Sequence, residues 1–199
     1  MSKCRPEGAA TYQPRAECSG ARRKRRPGLS IRPQRQALKG RHKTGPDNMA
    51  QSLVKNLVHL VYSTKHRKLW IPEDVHDGLF AFQAGVFRRL ESPALVIGGV
   101  EDHLHALFSL SRKHPLKTIV EEVKKSSSKW MKTDAGTGNE AFRWQCGYAG
   151  FSVSQSNVEE VRSYIANQAE HHRRMTFQDE LRALFRRHGV AFDERYVWD

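Results

Sequence analysis

The sequence predicts an α+β fold, a ferredoxin-like sandwich with an antiparallel sheet, followed by a long helix and a short terminal helix. Strand and helix patterns succeed one another in the order β-α-β-β-α-β-α-α, and four strands with two crossover helices in that order are typical of this sandwich. Residues 49–199 also carry a nearly balanced charge, 21 Lys and Arg against 18 Asp and Glu. A balanced segment of this length can bury the core of one ordinary domain.

The first strand and the first helix are predicted from their hydrophobic periods. Residues 53–64 are apolar on both alternate faces, with Leu60 on one side and Val61 on the other. This pattern is typical of a central strand covered on both sides. Pro72 then opens a helix to about Leu90, in which apolar residues recur at helical spacing.

A hairpin and a second helix follow. Residues 94–100 and 103–110 form two apolar runs separated by Glu101 and Asp102, and they predict two strands joined by a turn. Residues 116–131 predict a helix with one apolar side and one lysine-rich side.

The last strand and the last two helices are predicted from alternation and capping residues. Residues 141–154 alternate aromatic and polar side chains and predict a strand. Ser156, with a glutamate three residues later, forms a capping box that opens a helix to about Arg174. Thr176, with an aspartate three residues later, opens the last helix, which ends at Gly189.

The first 48 residues differ in composition from the rest. They hold 13 Lys and Arg against 3 Asp and Glu, together with 5 of the 8 prolines. Such a segment lacks the apolar content that would offset its ordering entropy, so residues 1–48 are predicted to be a disordered basic leader. Three interpretations stay open, in this order: an upstream extension of the gene model with translation starting at Met49, a DNA-binding arm built on Arg22–Arg26, and a targeting signal.

Composition excludes several classes of protein. No apolar run approaches about 18 residues, so no transmembrane helix is predicted, and the first residues show no apolar segment typical of a secretory signal. Cys4, Cys18 and Cys146 form no close pair, which disfavours a disulfide framework and suits a reducing cytoplasm. The sequence has no glycine motif typical of an ATPase or a dinucleotide enzyme.

Two histidines on the second hairpin strand are the first candidate for chemistry. His103 and His105 are two residues apart, so on a strand they point to the same face and can converge on one cation. The alternative is a pair of partly exposed strand histidines, because this motif is weak by itself.

The helix before Arg174 holds the second candidate. Tyr164, Gln168 and His171 are spaced by four and three residues and line a stripe beside the apolar one. The alternative is a tyrosine at the edge of the core and a surface glutamine. Taken together with the histidine pair, the amide oxygen can complete a site for a hard cation such as Mg²⁺ or Mn²⁺. A phenol beside such an ion can attack phosphorus and store the bond energy as a phosphotyrosine ester.

At these residues the chain resembles the single-tyrosine HUH transposases of the insertion-sequence-200 type, including the relatives associated with repetitive extragenic palindromes. Four segments carry the resemblance: residues 58–68, 100–110, 143–154 and 164–181. They are similar to the first strand, the histidine hairpin, the segment before the catalytic helix, and the catalytic helix with its continuation. The resemblance covers residues 49–199.

The resemblance implies a function. Members of this family bind single-stranded DNA hairpins and cleave a strand with a tyrosine that becomes attached to its 5′ phosphate. By similarity Tyr164 is the nucleophile, and His103, His105 and Gln168 hold the divalent metal, Mg²⁺ or Mn²⁺. The resemblance further implies a homodimer in which one subunit completes the active site of the other, in the bacterial cytoplasm or nucleoid. His171 and His172 fit the family pattern, with no role assigned.

Two other functions are alternatives to the transposase function. The first is a domesticated, non-cleaving protein of the same fold that binds hairpin DNA or RNA. The second is another HUH enzyme, a relaxase or replication initiator, although those chains are usually larger.

Basic side chains predict the path of the nucleic acid. The candidates that could contact phosphates are Lys117, Lys124, Lys125, Arg173 and Arg174. The alternative for each lysine is a solvated helix face.

Overall fold

The computed structural model describes residues 53–136 and 138–198, apart from the side chain of Tyr196. The predicted leader, residues 1–48, lies outside the described residues, as does the predicted start at Met49. Within the described part, the α+β fold with a four-stranded antiparallel sheet is confirmed.

The elements follow the predicted order up to the fourth strand, after which four short helices are present instead of the two predicted. The strands are β1 (Leu57–Ser63), β2 (Ala94–Gly99), β3 (His103–Ser109) and β4 (Ala149–Val153). The helices are α1 (His76–Arg89), α2 (Leu116–Thr133), α3 (Val158–Ala166), α4 (Gln168–His172), α5 (Phe177–Arg187) and α6 (Glu194–Val197). Short 3-10 turns occupy Lys65–Arg67, Glu73–Val75 and Gln155–Asn157.

The sheet has the strand order β2-β3-β1-β4, and each neighbouring pair is antiparallel. The two central strands are therefore β1 and β3, with Tyr62 opposite Leu104 and Val61 opposite His105. Every residue of β1 is buried, which confirms the central strand predicted from its two apolar faces.

The two faces of the sheet are covered by different helices. On the first face, α1 and α2 pack on a continuous apolar core. The sheet contributes Val58, Leu60, Tyr62, Leu104, Ala106 and Phe108 to it. On the second face, Leu107 packs against α3 and Val61 against α5. The alternation of β3 therefore directs His103 and His105 toward the second face.

The edge strand β2 lies very close to α3. A Cβ atom on Gly98 would overlap the backbone carbonyl oxygen of Ile165 and lie 3.1 Å from its Cγ2. Only glycine fits between this strand and this helix.

The last strand is shorter than predicted. It spans Ala149–Val153 rather than residues 141–154, and the segment before it forms one isolated bridge, between Thr64 and Trp144. The Lys124 ammonium donates to the carbonyl oxygens of Gln145 and Gly147, at 2.7 and 2.6 Å. A side chain thus occupies acceptors that a longer strand would use for its ladder.

The helix predicted from Ser156 to Arg174 is divided. A 3-10 turn precedes α3, and the Ser156 hydroxyl bonds the Ser154 hydroxyl at 2.8 Å, so the predicted capping box is wrong. The division between α3 and α4 falls at Asn167, whose side-chain amide donates to the Ser163 carbonyl at 2.8 Å. Side chains that bond the preceding turn commonly bend helices.

The boundaries of α5 agree with the prediction. The Thr176 hydroxyl accepts from the backbone N–H of Asp179 at 3.2 Å, and Gly189 follows the helix with a φ of 63°. This positive φ is the conformation that a terminating glycine supplies. Among the described residues, no helix combines the length and the apolar character needed to cross a bilayer.

Candidate active site

The hairpin strand β3 brings two imidazoles together, as predicted. His103 and His105 are both fully buried, and their ring centroids are 5.2 Å apart. Within the described part of the chain, the Nε2 atoms of both rings are buried without a hydrogen-bond partner. Buried nitrogens normally have partners, so two orphaned ones on the same face indicate a ligand.

The other nitrogen of each ring is already engaged. His103 Nδ1 lies 2.6 Å from the Asp102 carboxylate, and His105 Nδ1 lies 2.9 Å from Nε2 of the buried His59. If the two Nδ1 atoms carry the protons and donate to Asp102 and His59, both Nε2 atoms present lone pairs. This is the arrangement by which outer partners fix a metal-binding histidine.

A buried carboxylate faces the two imidazoles from α5. Glu180 is 2% exposed, and its Oε2 lies 3.6 Å from His103 Nε2 and 3.5 Å from His105 Nε2. His172, on α4, adds a third imidazole with its Nε2 3.2 Å from the same oxygen.

These four residues form what we call the His-Glu cluster: His103, His105, His172 and Glu180. One ligand atom from each lies within 4.8 Å of the other three. Glu180 Oε2 is buried without a hydrogen-bond partner, like the Nε2 atoms of the two strand histidines. The donor set and its orphaned atoms therefore fit a divalent cation.

The second oxygen of Glu180 faces the predicted nucleophile. The Tyr164 hydroxyl donates a short hydrogen bond to Oε1, and the Gln168 amide donates to the same oxygen at 3.1 Å. The Tyr164 ring also lies 5.9 Å, centroid to centroid, from His105. One carboxylate thus joins the phenol to the imidazoles.

The electrostatics of the site favour a neutral His105 and an ionised Glu180 carboxylate. Burial lowers the pKa of His105 to about 4 despite the nearby Glu180 charge. Burial acts to raise the pKa of Glu180, but the neighbouring His105 and His172 side chains hold it far below its usual range. Neutral imidazoles and a carboxylate are the forms that bind metal ions.

The same environment keeps the phenol protonated. Burial, followed by the negative charge of Glu180, raises the pKa of Tyr164 well above its ordinary value. Any attack by this oxygen therefore needs an acceptor for its proton, and Glu180 is already hydrogen-bonded to it.

The structure brings together the four residues singled out in the sequence as nucleophile and ligands. Gln168 is buried, and its Oε1 lies 2.9 Å from His172 Nε2, so the amide contacts the His-Glu cluster from one side. His171, which had no assigned role, places its Nε2 3.6 Å from Glu180 Oε1.

Sequence reasoning missed Glu180 and the outer partners His59 and Asp102. A signal for Glu180 was present, because it falls on the apolar stripe of α5 beside Phe177 and Leu181. A carboxylate in a buried stripe requires a specific partner. His59 gave no comparable signal, since its partner His105 comes from another strand. Asp102 is adjacent to its partner His103, but the sequence predicts it only as a turn residue.

The predicted phosphate contacts differ in their surroundings. Lys117 and Lys125 are exposed and lie 3.7 Å from acidic side chains on their own helix. Arg173 and Arg174 are exposed and both pair with Glu170. Lys124 instead holds two backbone carbonyls, and burial lowers its pKa to about 8.

The chain also matches a known protein family. A family model described as "Transposase IS200 like" matches residues 52–168, more than half of the chain. The comparison with curated proteins found no match.

Two solved structures are similar to the chain. One is a candidate transposase from Deinococcus radiodurans R1, at 21% identity and a TM-score of 0.50, over 61% of this chain and 96% of that one. The other is a REP-associated tyrosine transposase bound to a REP hairpin, at 12% identity and a TM-score of 0.47, over 63% of this chain and 73% of that one. The first likeness supports the fold.

Proposed function

Because the chain belongs to the IS200-like transposase family, we propose that it is a metal-dependent transposase. It binds single-stranded DNA hairpins and cleaves and rejoins strands through a 5′-phosphotyrosine intermediate. One observation carries this proposal: the two oxygens of the buried Glu180 carboxylate face the Tyr164 phenol on one side and three imidazoles on the other.

Tyr164 performs the cleavage. Its oxygen forms a bond to the scissile phosphorus while the bond from phosphorus to the 3′ oxygen breaks. The phenolic proton passes to its hydrogen-bond acceptor, Glu180, and the 3′ oxygen takes up a proton from water and leaves as a hydroxyl. Rejoining is the reverse reaction by a 3′-OH, so no ATP is consumed.

The His-Glu cluster holds the cation. His103 and His105 are its ligands, with Glu180 and His172 beside them and Gln168 at the edge. When bound, a divalent cation polarises the scissile phosphate as a Lewis acid. Several imidazoles with one carboxylate suit Mn²⁺ better than Mg²⁺, which prefers oxygen ligands.

The strand approaches Tyr164 across α4. Arg173 and Arg174 stand exposed at the end of this helix, and phosphates can displace their partner Glu170. Lys117 and Lys125 are the further candidates, on α2. Lys124 contributes by holding the loop before β4 rather than by binding phosphate.

The test is covalent attachment. Oligonucleotides copied from both strands of the DNA flanking the gene are incubated with the protein and Mn²⁺ and separated on denaturing gels. The wild type forms a protein–DNA adduct, and Tyr164→Phe forms none while still binding the hairpin. Tyr148→Phe, which alters an exposed tyrosine outside the cluster, keeps the wild-type yield. Adduct formation by Tyr164→Phe contradicts the proposal, and hairpin binding without any adduct in the wild type points to the domesticated protein.

A second test addresses the homodimer that the resemblance implies. Tyr164 and the His-Glu cluster meet within one chain, so we expect either separate sites or an exchange of helices that preserves these contacts. Mixing inactive Tyr164→Phe with inactive His105→Ala distinguishes the two. Recovered cleavage shows sites completed across subunits, and no recovery in a mixture shown to form mixed dimers shows sites within one chain.

A further inference from the structure

Two cavities meet at Tyr164. The more enclosed one has a volume of about 300 Å³ and lies between β4, α3 and α5. The more open one, of about 520 Å³, lies along α3 and α4. Tyr164, His171 and Met175 line both cavities, so the phenol stands where an enclosed pocket joins an open groove.

The enclosed pocket combines apolar walls with polar groups. Val153, Val161 and Leu184 supply apolar surface, and Asn157 supplies an amide. His188 also lines the pocket, and its ring stacks on Phe151 at a centroid distance of 4.5 Å. Flat apolar surfaces with a few hydrogen-bonding groups are what an unpaired base requires from a protein.

The enclosed pocket lies next to the Tyr164 oxygen, which limits what can occupy it. A phosphate under attack must touch the Tyr164 oxygen, and the base of an adjoining nucleotide is only one sugar away from that phosphate. A volume of about 300 Å³ is at the lower end for ligand sites, so it admits one base and no duplex. Arginines stand on both sides of the tyrosine, Arg187 at the pocket and Arg174 at the groove. They pair with the exposed Glu160 and Glu170, which the phosphates that precede and follow can displace.

We propose that the enclosed pocket binds the unpaired base next to the scissile phosphate, while the open groove carries the rest of the single strand. This rests on the function proposed above. Tyr164 then marks the boundary between a nucleotide whose base is held by the protein and a strand that is held through its backbone.

The test measures binding of single nucleotides to the whole protein. The four 5′-deoxynucleoside monophosphates are titrated to millimolar concentration into methyl-labelled protein and followed by NMR. We expect at least one of them to shift the methyl signals of Val161 and Leu184, and 2-deoxyribose 5-phosphate to leave these signals unchanged. Equal shifts with the sugar phosphate, or no shift with any nucleotide, overturn the proposal.

A matched pair of variants locates the site. Ala183 is exposed on α5 and lines the pocket, so Ala183→Phe fills it and weakens nucleotide binding about tenfold or more. Ala81→Phe places the same ring on an exposed position of α1 and leaves binding unchanged. Unaltered binding by Ala183→Phe overturns the proposal, as do shifts that appear with protein concentration alone, because these indicate a second copy of the chain.

The outcome separates this inference from the proposed function. Tyr164→Phe should keep the nucleotide-dependent shifts while losing the covalent adduct. An adduct without nucleotide shifts means that the pocket fails and the function stands. Nucleotide shifts without any adduct mean that the base pocket exists and the cleavage mechanism fails.

Discussion

On the two central strands both faces of the sheet are buried, but they differ in chemistry. Leu60, Leu104 and Phe108 pack against α1 and α2 as hydrocarbon, whereas His103 and His105 on the opposite face lie against a carboxylate. Burial of apolar surface stabilises a fold, and burial of polar groups costs free energy unless they are paired. The apolar first face therefore supplies stability that offsets the cost of burying the His-Glu cluster on the second face.

A substitution in the apolar face should cause the greatest loss of stability. Phe108→Ala removes a fully buried ring that packs 4.8 Å from Phe87, centroid to centroid. We expect a loss of about 3–5 kcal/mol in the free energy of unfolding, measured by urea denaturation. Under conditions where the variant is folded, its Mn²⁺ affinity should stay close to that of the wild type. A large loss of affinity would show that the two faces are not independent.

The second prediction removes one proposed ligand from the other face of the sheet. We expect His105→Ala to weaken Mn²⁺ binding, measured by calorimetry, by more than the ~10–100-fold that loss of an outer partner produces. The accompanying loss of stability should be smaller than that of Phe108→Ala. Unchanged Mn²⁺ binding would remove His105 from the His-Glu cluster.

The third prediction concerns Asp102, the outer partner of His103. Asp102→Asn keeps the shape of the side chain but removes the charge 2.6 Å from His103 Nδ1. We expect Mn²⁺ affinity to fall about 10–100-fold, as followed by electron paramagnetic resonance of free Mn²⁺. Glu101→Gln changes an exposed carboxylate in the same turn and serves as the control. Equal effects of the two substitutions would indicate a general loss of negative charge rather than orientation of His103.

The smallest effect is a pH dependence of stability in metal-free protein. Burial lowers the pKa of His59 to about 3 and that of His105 to about 4, whereas both titrate near pH 6.5 when unfolded. Between pH 6.5 and 4 the unfolded chain binds more protons, so stability falls on acidification. The raised pKa of His172 opposes this, because its contribution is lost as pH rises.

Averaged over this range, the unfolded chain binds about one proton more than the folded chain. The free energy of unfolding should therefore fall by about 1–2 kcal/mol between pH 6.5 and 5. Urea denaturation at these two pH values, with chelator present, measures it. His59→Gln removes one of the titrating rings while keeping an acceptor for His105, so its slope should be shallower. A stability that does not vary with pH would show that these histidines are not buried neutral in the folded protein.

Local patterns predicted the fold and half of the site. The two apolar faces of β1, the hairpin around Asp102, and the cap at Thr176 each depend on neighbours in sequence, and the structure confirms them. The longer fourth strand failed because Lys124, from a distant helix, holds the carbonyls that the ladder needed. Likewise, the partnership of Glu180 with the hairpin histidines depends on how α5 packs on the sheet, which no local pattern contains.

The close approach of β2 to α3 constrains the position of Tyr164. A methyl group at residue 98 would collide with the main chain of Ile165, the residue next to Tyr164. Gly98→Ala must therefore push the tyrosine helix outward and carry the phenol away from Glu180. The absence of a side chain at one edge-strand residue thus determines how closely the Tyr164 phenol can approach Glu180.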